Sequence, residues 1–316
     1  MKSYLRASGL LFNQPLMVTP DVLELGVRWA NQVMNLNIIN LGPSAAPAMR
    51  MDDNEGSAAQ MREPDTDRRG PPSTGVAVIP VHGVLVPRTA NLEMCETMTS
   101  YEGLRRDIRA AINDPTIERI ALDIDSPGGS VAGAFELATD IRAMSAQKPI
   151  TGVVNFMGYS GGYLIASACS EIVVSRTSGV GSIGVIASHM DRAALNEKLG
   201  VKVTTVFAGA HKNDLTPHEP ISEQSLRVLT DLVNEGYEMF VSAVAEYRGM
   251  TAAAVRATEA GLYRGDAAIK AGLADRLQSP QDAIDGIAHA VASDRARRSG
   301  PRIGVRAAAL QIQSQL

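Results

Sequence analysis

Asp125-Ser126-Pro127-Gly128-Gly129-Ser130 and Gly158-Tyr159-Ser160-Gly161-Gly162-Tyr163 decide how this chain folds. Each follows a continuous apolar run, IERIALDID at 117–125 and ITGVVNF at 150–156, and each opens a segment with apolar residues at helical spacing. Runs that are apolar throughout belong to strands covered on both faces. Each glycine turn therefore hands a strand over to a helix. One such turn is most simply a bend that only glycine can make. Two in consecutive strand–helix units aim backbone N–H groups and helix N-termini at one place, where negative charge is welcome. One turn could then supply an oxyanion hole and the other a serine nucleophile.

Working outward, 75–86 reads as a strand, a turn at His82–Gly83 and a second strand; 100–113 is a helix closed by Pro115. A helix starts at Ser130, and a short one covers 161–169. Strands are expected at 171–175, 183–187 and 201–207, with a helix at 190–199. The longest helix, 221–249, carries Leu226, Leu229, Val233, Tyr237, Phe240 and Val244 as an amphipathic stripe. A small helical unit follows at 251–277. This alternation predicts an α/β fold with parallel strands covered by helices and joined by right-handed crossovers.

The flanks differ. Thr19 and Pro20 begin a helix over 19–35. Residues 42–74 mix Pro, Gly, Ala and both charges without apolar periodicity and read as a mobile linker. After 278 come a weak helix and the arginine-rich DRARRSGPRIGVR. The organisation expected is an N-terminal helical segment (1–41), the linker (42–74), a catalytic domain (75–278) and a basic tail (279–316).

Composition narrows the function. The 316 residues carry a formal net charge of −4, which excludes a dedicated nucleic-acid binder, although the arginine-rich tail could still touch DNA. Two cysteines, Cys95 and Cys169, exclude a disulfide scaffold and a Cys-rich zinc site. No run of 18 apolar residues predicts a membrane span. Leu10–Phe12 is cut short by Asn13, Gln14 and Pro15, far from a signal-peptide core. A cytoplasmic protein is expected.

A serine hydroxyl needs a base. His82, His189, His211, His218 and His289 are candidates, as is Lys212 in the loop AGAHKNDLTPHEPIS. An ordinary lysine leaves only about one amine in 2,500 neutral at pH 7. Desolvation that lowers the pKa by about 3 leaves roughly a quarter neutral. Asp214, two residues on, opposes this unless it points elsewhere. The G-x-S-x-G pattern at 158–162 also fits an α/β-hydrolase elbow, but the HGGG oxyanion segment of lipases is missing.

DSPGGS, GYSGGYLIASA, SGVGSIGV, AGAHKND and LYRGDAAIKAGLAD occur in that order over about residues 75–278. In this the chain resembles the Ser–Lys peptidases of the signal peptide peptidase A family, and within it the phage branch of head-maturation (minor capsid protein C type) proteases. The resemblance implies a Clp protease/crotonase-like fold of repeated β-β-α units. It makes Ser160 the nucleophile and Lys212 the base, with Gly128, Gly129 and Gly161 as oxyanion-hole donors and Ser182 orienting the lysine. It also implies no cofactor or metal, scaffold or capsid proteins as substrates, and a ring-like homo-oligomer whose sites combine serine and lysine from neighbouring protomers. His189 stands where a Clp-type protease carries its histidine and is the rival base. Rival functions are a soluble housekeeping peptidase, a non-catalytic assembly protein, and an acyl-CoA enzyme of the crotonase type.

Overall fold

The computed structural model describes residues 12–33, 74–88 and 98–313; the expected linker, apart from Thr74, falls outside them. In chain order the strands are β1 (Leu16–Val18), β2 (Val76–His82), β3 (Val84–Val86), β4 (Met98–Ser100), β5 (Arg119–Ser126), β6 (Gly128–Ser130), β7 (Ile150–Tyr159), β8 (Glu171–Val174), β9 (Gly179–Gly181), β10 (Leu262–Arg264) and β11 (Arg276–Leu277). The helices are α1 (Pro20–Val33), α2 (Tyr101–Asn113), α3 (Ala134–Ser145), α4 (Gly161–Ser167), α5 (Ala193–Lys198), α6 (Glu223–Arg248), α7 (Ala252–Arg256), α8 (Asp266–Lys270) and α9 (Pro280–Gln313).

Seven strands form the main sheet, and within it β2, β5, β7, β8 and β11 run parallel. Ten residues of β7 are enough to change partners midway. Thr151–Val154 pair with β8, and Met157–Tyr159 pair with β9. That divergence splays the sheet open beside the second glycine turn. A smaller sheet, in the order β1-β6-β3-β4, contains the first turn.

One face of the main sheet is covered by α2, α3, α4 and α6. Leu104 and Ile108, Leu137 and Ile141, Tyr163 and Leu164, and Phe240 and Val244 merge there into one aliphatic core. Helix α2 starts where the Ser100 hydroxyl accepts the Gly103 N–H. Helix α6 starts at Ser222 in the same way and stops at Gly249 in the left-handed conformation. Cys169 is buried in this core, and burial pushes its thiol pKa up to about 12.

Several expectations need correction. The segment after 278, expected as a weak helix and a basic tail outside the catalytic domain, is one helix that packs on the sheet. Ala283, Ile287 and Val291 of α9 cover Val76, Val78, Ala121, Val153 and Val173 on the other sheet face. Arg295 and Arg298 both reach Glu118, and Arg119 pairs with Asp294. Ser130 ends a strand, and the helix after it begins at Ala134 behind Gly133. At 183–187 only Ile186 makes a bridge, to Leu16, while the ladder runs through 179–181 instead. Residues 201–207 form no strand: among the described residues none pairs with them, and all are exposed. Two strand pairs, β1–β6 and β9–β10, are antiparallel.

Arg248 clamps the helical cover to the sheet. Its Nη1 and Nη2 lie 2.9 and 2.6 Å from the two Asp275 oxygens, and it donates to the Gly272 carbonyl as well. Burial alone would raise the Asp275 carboxyl. The Arg248 guanidinium and the Ile172 N–H outweigh it and hold the pKa below the usual carboxylate range. A depressed carboxyl contributes stability above its unfolded pKa near 3.9, and that contribution disappears as pH falls through the folded value. Arg248→Ala is expected to cost about 3 kcal/mol at pH 7. The gap to wild type should shrink as pH falls below about 4. Thermal melts of both proteins at pH 7 and pH 3 check this, and a pH-independent gap refutes it.

Candidate active site

Ser160 stands at the head of α4 with φ 52° and ψ −118°, a conformation an L-residue adopts only under strain. The surroundings enforce it: the Ser160 N–H donates to the Gly181 carbonyl at 2.8 Å, and its carbonyl accepts from Leu164 at 3.0 Å. This sharp strand-to-helix turn is what a nucleophile elbow requires. The Ser160 Oγ lies 3.4 Å from the Gly184 carbonyl, and the residue is 0% exposed.

The first glycine turn comes up against it. A Cβ placed on Gly161 would lie 3.3 Å from the Gly129 nitrogen and 3.5 Å from the Gly128 Cα. Ser126 braces this turn, its hydroxyl donating to the Gly83 carbonyl at 2.7 Å and accepting the Gly128 N–H at 3.2 Å. The structure therefore brings Ser160, Gly161, Gly128 and Gly129 together. Close packing by backbone explains why both turns need glycine.

Ser182, also at positive φ (53°), lines a cleft of about 820 Å³ beside Ser160, with Pro127, Tyr159, His82 and Asp125. Sequence reading overlooked a polar group in its wall. His82 Nε2 lies 3.1 Å from Asp123 Oδ2, and Asn155 Nδ2 donates to Asp123 Oδ1 at 3.2 Å. Burial raises the Asp125 carboxyl there, against the pull of His82. Reading β5 as one continuous apolar run concealed these aspartates as ordinary strand residues.

The proposed bases are not beside the serine within one chain. Lys212 is exposed on the loop between α5 and α6. Asp214 does point away from it, accepting from His211 Nδ1 at 2.7 Å, from Gln224 Nε2 at 2.7 Å and from Ser225 Oγ at 3.4 Å. The His211 hydrogen bond is foremost in holding the Asp214 carboxyl below the usual range. His189 meets Asn13 through Nδ1 at 3.0 Å, and burial lowers its pKa against the pull of Asp191. Among the described residues it makes no hydrogen bond to Ser160. His218 faces Asn196. Among the described residues no cluster of His, Cys, Asp or Glu is arranged to hold a metal ion, and no helix is long and apolar enough to cross a membrane.

Comparison with known proteins places the chain among peptidases. The profile described as "Peptidase family S49" matches residues 142–293, a span that takes in Ser160, Lys212 and the packed start of α9. Capsid assembly protease C of Escherichia phage lambda is 34% identical over 305 residues, covering 94% of this chain and 68% of that protein. Head-tail preconnector protein GP5 of Enterobacteria phage P21 is 34% identical over 304 residues, covering 95% of this chain and 60% of that protein. The chain thus spans about two thirds of these relatives' length. Among solved structures, a ClpP1 mutant from Listeria monocytogenes overlaps at TM-score 0.40 with 13% identity, covering 67% of this chain and 95% of that one.

Proposed function

Because the chain belongs to peptidase family S49, we propose that it is a serine endopeptidase with a Ser–Lys dyad that processes scaffold and capsid proteins during phage head maturation. The observation that carries this reading is the strained Ser160, sealed beside two converging glycine turns. Strain of this kind persists only where the surrounding structure imposes it, and it is typical of functional sites.

Lys212 acts on the serine of a neighbouring copy. It lies on an excursion whose apolar residues are left uncovered: Leu199, Val201, Val203, Val206 and Phe207 are all exposed, Val206 at 92%. A second copy seated there buries this run, gives the 201–207 segment a strand partner and desolvates the lysine. The same contact explains why residues with strand-like sequence form no strand in one chain.

The chemistry then balances. Neutral Lys212 takes the Ser160 proton while Oγ attacks the substrate carbonyl carbon. The carbonyl oxygen becomes an oxyanion held by the Gly129 and Gly161 N–H groups; the Gly128 N–H, expected as a third donor, is taken by the Ser126 hydroxyl. The C–N bond breaks as the lysine returns its proton to the leaving amine. Water, deprotonated by the same lysine, hydrolyses the ester. A lost oxyanion donor costs about 3 kcal/mol of transition-state stabilisation.

Co-expression with the scaffold and coat proteins of the same phage tests the substrate. Mass spectrometry should find new chain ends in those proteins with the wild type and none with Ser160→Ala. Intact scaffold and coat proteins alongside an assembled wild-type enzyme would refute the substrate assignment.

A further inference from the structure

The strand at the N-terminal end is in an unexpected place. Leu16–Val18 lies antiparallel to the first glycine turn, with Leu16 opposite Ser130, Met17 opposite Gly129 and Val18 opposite Gly128. Its other edge faces Ile186: the Leu16 N–H donates to the Ile186 carbonyl at 2.8 Å, and the Ile186 N–H donates back at 2.9 Å. Successive residues of a strand direct their backbone groups to opposite sides. With Leu16 turned to Ile186, Met17 must turn its N–H and carbonyl to Gly129.

The Met17 carbonyl oxygen consequently sits where the two glycine turns meet. It is 1.9 Å from where a Cβ on Gly128 would stand and 3.4 Å from the same point on Gly161. That is the place where the proposed reaction needs the carbonyl of a scissile bond. The Met17 side chain is 0% exposed, inserted into the main core. Past Val18, Thr19 to Val22 line the cleft with Ser182 and Pro127. On the other side Asn13 anchors the segment: its N–H donates to the Ser188 carbonyl at 2.9 Å, and its amide donates to the Leu215 carbonyl at 3.1 Å. A nucleophile that must meet other proteins is thus covered by its own chain.

We propose that Leu16–Val18 is a self-bound substrate mimic. The groove between Gly128–Ser130 and Ile186 receives an extended peptide as a middle strand, with an unbranched apolar side chain where Met17 lies. The chain's own strand holds this groove closed until it is displaced. This rests on the reading of Ser160 as the nucleophile. The ladder is three residues long, so an assembly partner or a substrate strand of the same pattern competes for it on equal terms. Addition of a peptide strand between two exposed edges uses main-chain bonds for affinity and side-chain pockets for choice.

The test uses the full chain carrying Ser160→Ala, so that binding is read without catalysis. The probe is a fluorescein-labelled peptide of residues 12–22, followed by anisotropy. Leu16→Cys with Ile186→Cys locks the strand in place on oxidation; facing residues of such a pair stand within disulfide reach. The oxidised form should bind the peptide at least tenfold more weakly than its reduced form. Met17→Asp in the chain should release the strand and strengthen binding about tenfold, whereas the same change in the peptide should abolish it. Binding that ignores the lock overturns the proposal, even if Met17→Asp fails to fold. The same lock without Ser160→Ala should reversibly suppress hydrolysis. Binding that follows the lock while no form hydrolyses peptide supports the occupied groove and rejects the peptidase reading alone.

Discussion

Ser160→Ala and Lys212→Ala are each expected to lower cleavage at least about 10⁴-fold, while an assembly containing both recovers up to about a quarter of the wild-type rate. The reason is geometric. Within one chain Ser160 is 0% exposed, with its hydroxyl turned to the Gly184 carbonyl, and Lys212 lies exposed on a loop. If each site takes its serine from one protomer and its lysine from the next, a randomly mixed ring has about a quarter of its sites intact. If both came from one chain, no mixed assembly would contain an intact site. Folding should not interfere: the Ser160 hydroxyl makes one long contact, to the Gly184 carbonyl at 3.4 Å, so the melting temperature should change little. Denaturing, mixing and reassembling the two variants, with mixing verified by mass, reads the result. Recovery near zero in verified mixed assemblies would refute the shared site. Loss of cleavage in His189→Ala but not in Lys212→Ala would replace the base.

Gly129→Ala should be the most damaging substitution of a single atom group. Its Cβ would stand 1.9 Å from the Leu85 carbonyl oxygen and 2.6 Å from the Leu85 nitrogen. Both are backbone atoms of β3, so no rotamer change relieves the clash. Either β3 or β6 must leave the small sheet, at a cost above about 4 kcal/mol by the standard of severe core substitutions. Gly161→Ala is the informative contrast. Its nearest neighbour is 3.3 Å away, which calls for an adjustment of tenths of an ångström. That adjustment falls on the Gly129 nitrogen, a proposed oxyanion donor. Gly161→Ala is therefore expected to keep most of its stability and lose roughly 10²-fold in kcat. Thermal melts and single-turnover cleavage separate the two. A Gly129→Ala protein that melts with the wild type would contradict the packing described here.

The elements read best from sequence were those whose neighbours lie close along the chain. The β5 and β7 runs, the α2 helix with Pro115 after it and the Leu229–Phe240–Val244 side of α6 each carry their own periodicity or their own stop signal. The two glycine turns were legible for the same reason, since a turn that backbone atoms approach this closely, as at Gly128, Gly129 and Gly162, leaves little choice but glycine. The apolar spacing of Ala283, Ile287 and Val291 was also present, but the arginines after it concealed that this helix covers a sheet face.

What the chain order alone determined was the kind of molecule: parallel strands under helices, two turns that gather backbone N–H groups, and a serine at the second. Tertiary structure decided what stands next to that serine. Leu16–Val18 is too short to show a period, and its place against Gly129 depends on edges contributed by residues more than a hundred positions away. Lys212 and the 201–207 run are the opposite case, strand-like and apolar in sequence yet unpartnered in one chain. Backbone hydrogen bonds between strands are available to any sequence, so pairing is settled by which edges the completed fold leaves open. A local pattern does not contain that information.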